Sequence, residues 1–138
     1  MTGSRKAFNA VLRALIALGI PVGNTVLLIT PGRRTGQPRS TPVTLLHDGA
    51  RRYLVSPYGE VAWVQNARAA GRARLRYRGR EETVRLSELP PEAAAPLLKQ
   101  YREKYAVVAP FFDARPGDPV ERFAAEASKH PVFEILPA

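Results

Sequence analysis

The sequence predicts an α+β domain: a small antiparallel β-barrel with one helix ahead of it and further helices at its periphery. Three observations carry this expectation. Five or six short apolar or alternating runs are separated by tight turns rich in Gly and Pro. Helical spacing is confined to a few segments, too few for a βαβ succession. Neither a G-x-G-x-x-G run nor a P-loop occurs, so both glycine-based nucleotide-binding motifs are missing. The 138 residues suffice for one core and not for two, so residues 1–138 are expected to form a single domain.

The elements follow in order. Within about residues 1–20, residues 5–18 place Phe8, Val11, Leu12, Leu15 and Ile16 on one side of an amphipathic helix. Such a helix packs on the barrel, or rests on a membrane surface with help from Arg5, Lys6 and Arg13. A transmembrane span is not expected, because the uncharged stretch 14–30 is short and holds Gly19, Pro21, Gly23 and Asn24. A cleaved leader is not expected either, since Arg13 interrupts the apolar run and no small-residue cleavage site follows. Residues 25–30 (TVLLIT) read as a buried strand that stops at Pro31-Gly32. Residues 40–47 and 52–56 read as two further strands joined at Asp48-Gly49. Residues 61–70 suit a helix ending at Gly71. The strict alternation from Arg72 to Arg78 is the period of a half-buried strand, and residues 82–86 return antiparallel after Gly79-Arg80. Helices are expected over 91–105 and about 118–129, and a last strand over 132–136.

Cysteine is absent, which excludes disulfides, thiolate metal sites and a cysteine nucleophile. Redox chemistry would then fall to a bound cofactor, and a reducing cytoplasm is the compartment this composition fits. The net charge of +9 is unevenly spread: residues 1–86 hold 15 basic and 4 acidic residues, whereas 87–138 hold 6 and 8. A basic front half calls for an anionic ligand, a nucleic acid or an anionic membrane surface.

Two stretches carry the chemistry. The first is Gly32 to Arg39, where Arg33, Arg34 and Arg39 join Thr35, Gly32 and Gly36 between two strands. Glycines let backbone N–H groups approach an oxyanion, and guanidiniums give phosphate paired donors. The same run also reads as an exposed basic turn. The second stretch is Ser56-Pro57-Tyr58-Gly59 followed by Trp63 and Asn66, which share a helix face. An indole beside a carboxamide suits a flat heteroaromatic ring, although Trp63 also fits a core position and Asn66 a solvated one. Tyr101 and Tyr105 lie one turn apart on a helix and, with Ser56 and Tyr58, could hydrogen-bond a developing oxyanion; as tyrosines on an amphipathic helix they equally cap a core. Phe111 and Phe112 suit an apolar pocket or the core. His47 and His130 have no partners at metal-ligand spacing, and no metal is expected. Arg72, Arg74, Arg76 and Arg78 read as the solvated face of their strand, balanced by Glu81 and Glu82 across the turn.

In the order of its basic loop (residues 27–39), its Thr41-Pro42-Val43 strand and its Trp63-x-x-Asn66 helix, the chain resembles the deazaflavin-dependent nitroreductase family from about Leu12 to Leu136. These are split-barrel oxidoreductases of actinobacteria, of the FMN-binding split-barrel type, that use coenzyme F420. The resemblance implies that Arg33, Arg34, Thr35, Gly36 and Arg39 hold the phosphate and acidic tail of the coenzyme. It implies further that the deazaflavin lies against Pro42, Val43 and the segment 55–59 (Ser56, Tyr58, Gly59), with Trp63 and Asn66 closing the site. A hydride would pass to a small-molecule electron acceptor: a quinone, an enone or a nitro compound. Tyr101, Tyr105 and Ser56 are the candidate catalytic groups. The chain departs from the family at Ser56-Pro57-Tyr58, where Ser-Lys is common, and at Val64, where a second aromatic is common. Both departures bear on substrate more than on cofactor. FMN in a related split barrel is the second reading, which would leave the extra loop arginines without an anionic tail to meet. A nucleic-acid-binding module is a distant third that gives Trp63 and Asn66 no role. A homodimer is reasonable for a barrel with an exposed edge.

Overall fold

The computed structural model describes residues 25–138; the expected N-terminal helix and its membrane contact lie outside the described residues. Six strands run through β1 (Thr25–Pro31), β2 (Pro38–Asp48), β3 (Arg51–Val55), β4 (Arg72–Tyr77), β5 (Arg80–Glu88) and β6 (Val132–Pro137). They close into an antiparallel barrel of order β1-β2-β3-β6-β5-β4. Helices α1 (Ala62–Ala70), α2 (Pro91–Lys104) and α3 (Val120–Glu126) complete the α+β fold.

The alternation of each strand decides what fills the barrel. Leu28, Leu54, Val84 and Phe133 point inward and are buried to 1% exposure or less. One end of the barrel is plugged by α1, which contributes Trp63, Val64 and Ala67 to the same core. Gly71 ends α1 in the left-handed region (φ 68°), its N–H returning to the Ala67 carbonyl, so the chain turns at once into β4. The opposite end is closed by Arg52, which grips Glu82 through both guanidinium nitrogens at 3.0 and 2.8 Å. A second apolar layer lies outside the wall, where Leu46, Tyr53 and Val132 meet Leu98 of α2 and Phe123 of α3.

Three local features depart from the sequence expectations. Glu82 serves Arg52, so only Glu81 balances the arginine row, through Arg74 at 3.0 Å. The β4–β5 hairpin turns on Arg78-Gly79, one residue earlier than expected, with both residues at positive φ (53° and 75°) as a two-residue hairpin loop requires. The helix expected over 91–105 gives way after Lys104 to a 3-10 segment, Ala106–Phe111.

The wall is incomplete at β2. Its residues 38–44 pair with β1, but only residues 45–48 pair with β3. The other edge of Ser40 to Thr44 therefore meets no strand among the described residues.

Candidate functional site

The β1–β2 hairpin carries the basic loop at the end of the barrel plugged by α1. Its backbone is folded by its own groups: the Gly32 N–H donates to the Gln37 carbonyl and the Gly36 N–H to the Gly32 carbonyl, both at 2.8 Å. The Gln37 N–H donates to the Thr35 hydroxyl at 3.2 Å. A Cβ on Gly32 would meet the Gln37 carbonyl oxygen at 3.1 Å, with Arg39 Nε and Thr35 Oγ1 each 3.5 Å away. The glycine thus keeps open a concavity walled by a guanidinium and a hydroxyl.

Asn66 sets the loop against α1. Its side-chain oxygen accepts both the Arg33 N–H at 3.1 Å and the Arg33 guanidinium at 3.0 Å, and the residue is 3% exposed. Between loop and helix lies a cleft of about 640 Å³, lined by Arg33, Arg34, Thr35, Arg39, Trp63 and Asn66 among others. Its size suits a cofactor or small ligand. Arg34 and Arg39 have no carboxylate partner among the described residues. Arg68, one turn beyond, is spoken for: it bonds Glu88 first and Glu60 second, and these partners raise its pKa further above its usual range. The guanidiniums of Arg34 and Arg39 beside a glycine concavity are donors suited to a phosphate, while the N–H groups of Gly32, Arg33, Gly36 and Gln37 are spent on shaping the loop.

The structure brings Arg33, Arg34, Thr35, Arg39, Trp63 and Asn66 together in one cleft, sets Gly36 against a smaller concavity, and leaves the other sequence candidates elsewhere. Trp63 is 7% exposed and packs on Phe133 (centroids 5.7 Å apart), so it borders the cleft as a core residue and not as an open stacking platform. Asn66, read as a partner for a ring, has its oxygen committed to Arg33. Val43 points into the barrel, which leaves Pro42 and the open backbone edge of β2 to face outward. Ser56 is fully buried and donates its hydroxyl to the Gly59 carbonyl at 2.6 Å, holding the turn after β3. Tyr58 stands on that turn, 44% exposed, edge-on to Phe111 at 4.7 Å. Phe112 is core, stacked on His130 at 4.0 Å.

The Tyr101 and Tyr105 rings meet at 5.0 Å, tilted by 54°, in the layer outside the barrel, and the Tyr105 hydroxyl donates to the Leu45 carbonyl at 3.4 Å. Burial above all, then Tyr58 and Tyr105 nearby, push the Tyr101 phenol well above its ordinary value. The folded chain holds this phenol neutral while the unfolded chain ionises it near pH 10.0. Stability is therefore expected to fall as pH rises above that value. Tyr101→Phe should flatten this alkaline slope in urea melts taken across the range; an unchanged slope would show that the phenol is not sealed.

Sequence reasoning missed the group that holds the turn. His130, 2% exposed, places Nδ1 3.1 Å from the Pro57 carbonyl and Nε2 2.7 Å from Glu126 Oε1. Glu126 in turn accepts the Asp113 N–H at 3.1 Å and the Ala114 N–H at 2.8 Å. The i, i+4 spacing of Glu126 and His130 was a visible signal. Among the described residues no group of three or more His, Cys, Asp or Glu could hold a metal ion, and no helix is long and apolar enough to cross a membrane.

An antiparallel split barrel with a basic hairpin loop at the mouth of a cleft is a fold shared with flavin- and deazaflavin-type proteins. The F420H(2)-dependent quinone reductase family model matches residues 5–112, and the chain belongs to that family. It is thus an F420-dependent oxidoreductase, with coenzyme F420 as its cofactor. Solved structures share the fold. An F420-H2 dependent reductase (FDR-A) superposes with a TM-score of 0.55 at 19% identity, over 81% of this chain and 93% of its own. A protein described as a domain-swapped dimer gives 0.60 at 17% identity over 90% and 92%. An FAD-binding protein from Mesorhizobium loti gives 0.54 at 18% identity over 91% and 86%. No curated protein sequence matches the chain.

Proposed function

We propose that this protein reduces quinones with F420H2, and that the β1–β2 loop binds the coenzyme through its phosphate. The observation that carries the loop assignment is the concavity at Gly32, flanked by Arg39 Nε and Thr35 Oγ1 and held in register by Asn66. Arg34 and Arg39 supply charge to the phosphate, Gly36 and Thr35 shape the cradle, and Arg33 joins cradle to helix. When bound, the reduced coenzyme supplies a hydride to the acceptor, which also takes a proton and leaves as the hydroquinone.

The chain's own work is placement and exclusion of water. About four residues of β2 separate the loop from Pro42 and Val43, a reach of about 13 Å. A ring anchored at the loop can therefore lie along the open edge of β2, with Pro42 on one side and the Ser56–Gly59 turn on the other. Ser56 fixes that turn through the Gly59 carbonyl. Tyr58, the tyrosine of this cluster most open to solvent, stands at the lip with Phe111 as an apolar contact for a quinone. Its phenol donates a hydrogen bond to the acceptor oxygen as negative charge develops there. Tyr101 and Tyr105 support Tyr58 from beneath, and Trp63 keeps the cleft floor dry.

Fluorescence titration with oxidised F420, with FMN in a parallel cell, tests the loop assignment. Arg34→Ala/Arg39→Ala is expected to weaken F420 about a hundredfold, since each charged hydrogen bond is worth about 1.5–3 kcal/mol. Unchanged binding by the double variant would overturn the assignment, and a preference for FMN would favour the flavin reading. Turnover of a menaquinone analogue against a nitroaromatic then ranks the acceptors.

A further inference from the structure

A second concavity opens on the other side of the basic loop. About 260 Å³ in size, it is bounded by Gly36 and Pro38 of the hairpin and by Arg72, Arg74 and Thr83 of the β4–β5 ribbon. Pro38 lines both this concavity and the larger cleft, so one surface path leads from the phosphate cradle over the loop to β4.

The ribbon carries an unbalanced charge there. Arg72 is directly opposite Arg85 in the β4–β5 register, so two guanidiniums share one face with Cα atoms about 5 Å apart. Like charges in directly opposed positions repel. Neighbouring pairs on the same face are arranged differently: Arg74 faces Thr83 and reaches Glu81, while Arg76 faces Glu81 itself. Neither Arg72 nor Arg85 has a carboxylate partner among the described residues; Arg85 donates only to the Pro137 carbonyl at 3.0 Å. At the loop end of the barrel this opposed pair is thus left without a carboxylate, whereas Arg74, which lines the same concavity, is paired with Glu81.

We infer that Arg72 and Arg85, with the concavity beside Pro38, bind the glutamyl tail of the coenzyme after it crosses the loop. The inference rests on the loop holding the phosphate. It assigns the tail to the β4–β5 ribbon and not to the loop arginines, and it gives the opposed pair a physical reason, since carboxylates between two guanidiniums turn a repulsion into a clamp.

The test compares dissociation constants for the tailless coenzyme, which keeps its phosphate, with those for short- and long-tailed forms. The wild type is expected to bind the long tail roughly fivefold to tenfold more tightly than the tailless form at low salt. Arg72→Ala, an exposed position that leaves the fold intact, should erase most of this gap and leave tailless binding unchanged. Arg76→Ala removes the same charge about 13 Å along the strand and should preserve the gap. A wild type indifferent to tail length overturns the inference, as does a gap that survives Arg72→Ala/Arg85→Ala or shrinks equally in Arg76→Ala. The loop reading fails separately: tailless binding that ignores Arg39→Ala would remove it, whereas tail dependence that ignores Arg72 removes the tail site alone.

Discussion

Glu126→Ala is expected to cost about 3–5 kcal/mol of folding stability, the range for breaking a buried charged or strongly hydrogen-bonded pair. Glu126 is 4% exposed and its two oxygens accept the Asp113 and Ala114 N–H groups as well as the His130 ring. Truncation strands the buried Ala114 N–H and the His130 ring, and each stranded buried group costs about 1–3 kcal/mol. The consequence extends to the turn after β3 through one chain of contacts. His130 meets the Pro57 carbonyl, and the Ser56 N–H donates to the Pro131 carbonyl at 2.9 Å. The turn is therefore hung on the segment after α3. Urea denaturation followed by far-UV circular dichroism measures the loss, and a cost below about 1 kcal/mol would mean that the network is replaced by solvent. Glu126→Gln keeps the shape and one acceptor oxygen, so it should fall between the two.

Much of the barrel was legible because its signals are local. The alternation from Arg72 to Tyr77 can satisfy only a strand with one buried face, and the apolar run at 25–30 only a strand buried on both. Gly71 and the Arg78-Gly79 hairpin are places where backbone conformation selects the residue, so the chain's punctuation could be read to within a position. The site was legible in composition and not in wiring. Three arginines, a threonine and two glycines in eight residues suit an anion or an exposed basic turn, and composition alone does not choose between them. That Asn66 would spend its oxygen on Arg33, 33 positions away, depends on how α1 lands on the hairpin. The same holds for His130, whose partner carbonyl lies 73 positions earlier. Trp63, for which both a core and a ring-stacking position were open, borders the cleft from the core side: Trp63, Val64 and Ala67 form a stripe that plugs the barrel, and the indole follows its neighbours inward. The Arg72–Arg85 opposition needed the strand register, which turn residues fix only once the hairpin closes at a known position.

Asn66 separates loop architecture from loop charge, and two substitutions there should move stability and affinity apart. Asn66→Ala removes the acceptor shared by the Arg33 N–H and guanidinium, at a cost of about 1–3 kcal/mol in stability. The loop then loses its register with α1, and F420 affinity should fall about tenfold or more because the cradle must be ordered on binding. Asn66→Asp keeps an acceptor at the same place and makes both bonds charge-assisted, so the melting temperature should hold or rise. Affinity should nonetheless drop, because a carboxylate now neutralises Arg33 and repels the phosphate that the other arginines attract. Between the dielectric of bulk water and that of a protein surface, such a charge is worth about 1–4 kcal/mol, or about fivefold and upward in the dissociation constant. The signature is therefore a stable variant that binds weakly, with the deficit shrinking for the coenzyme fragment that lacks the phosphate. An Asn66→Asp protein that binds F420 as tightly as the wild type would place the phosphate away from Arg33 and remove the loop from the coenzyme site. If instead Asn66→Ala melts normally and binds normally, the loop is held by its own Gly32–Gln37 and Gly36–Gly32 bonds, and α1 has no part in shaping the cradle.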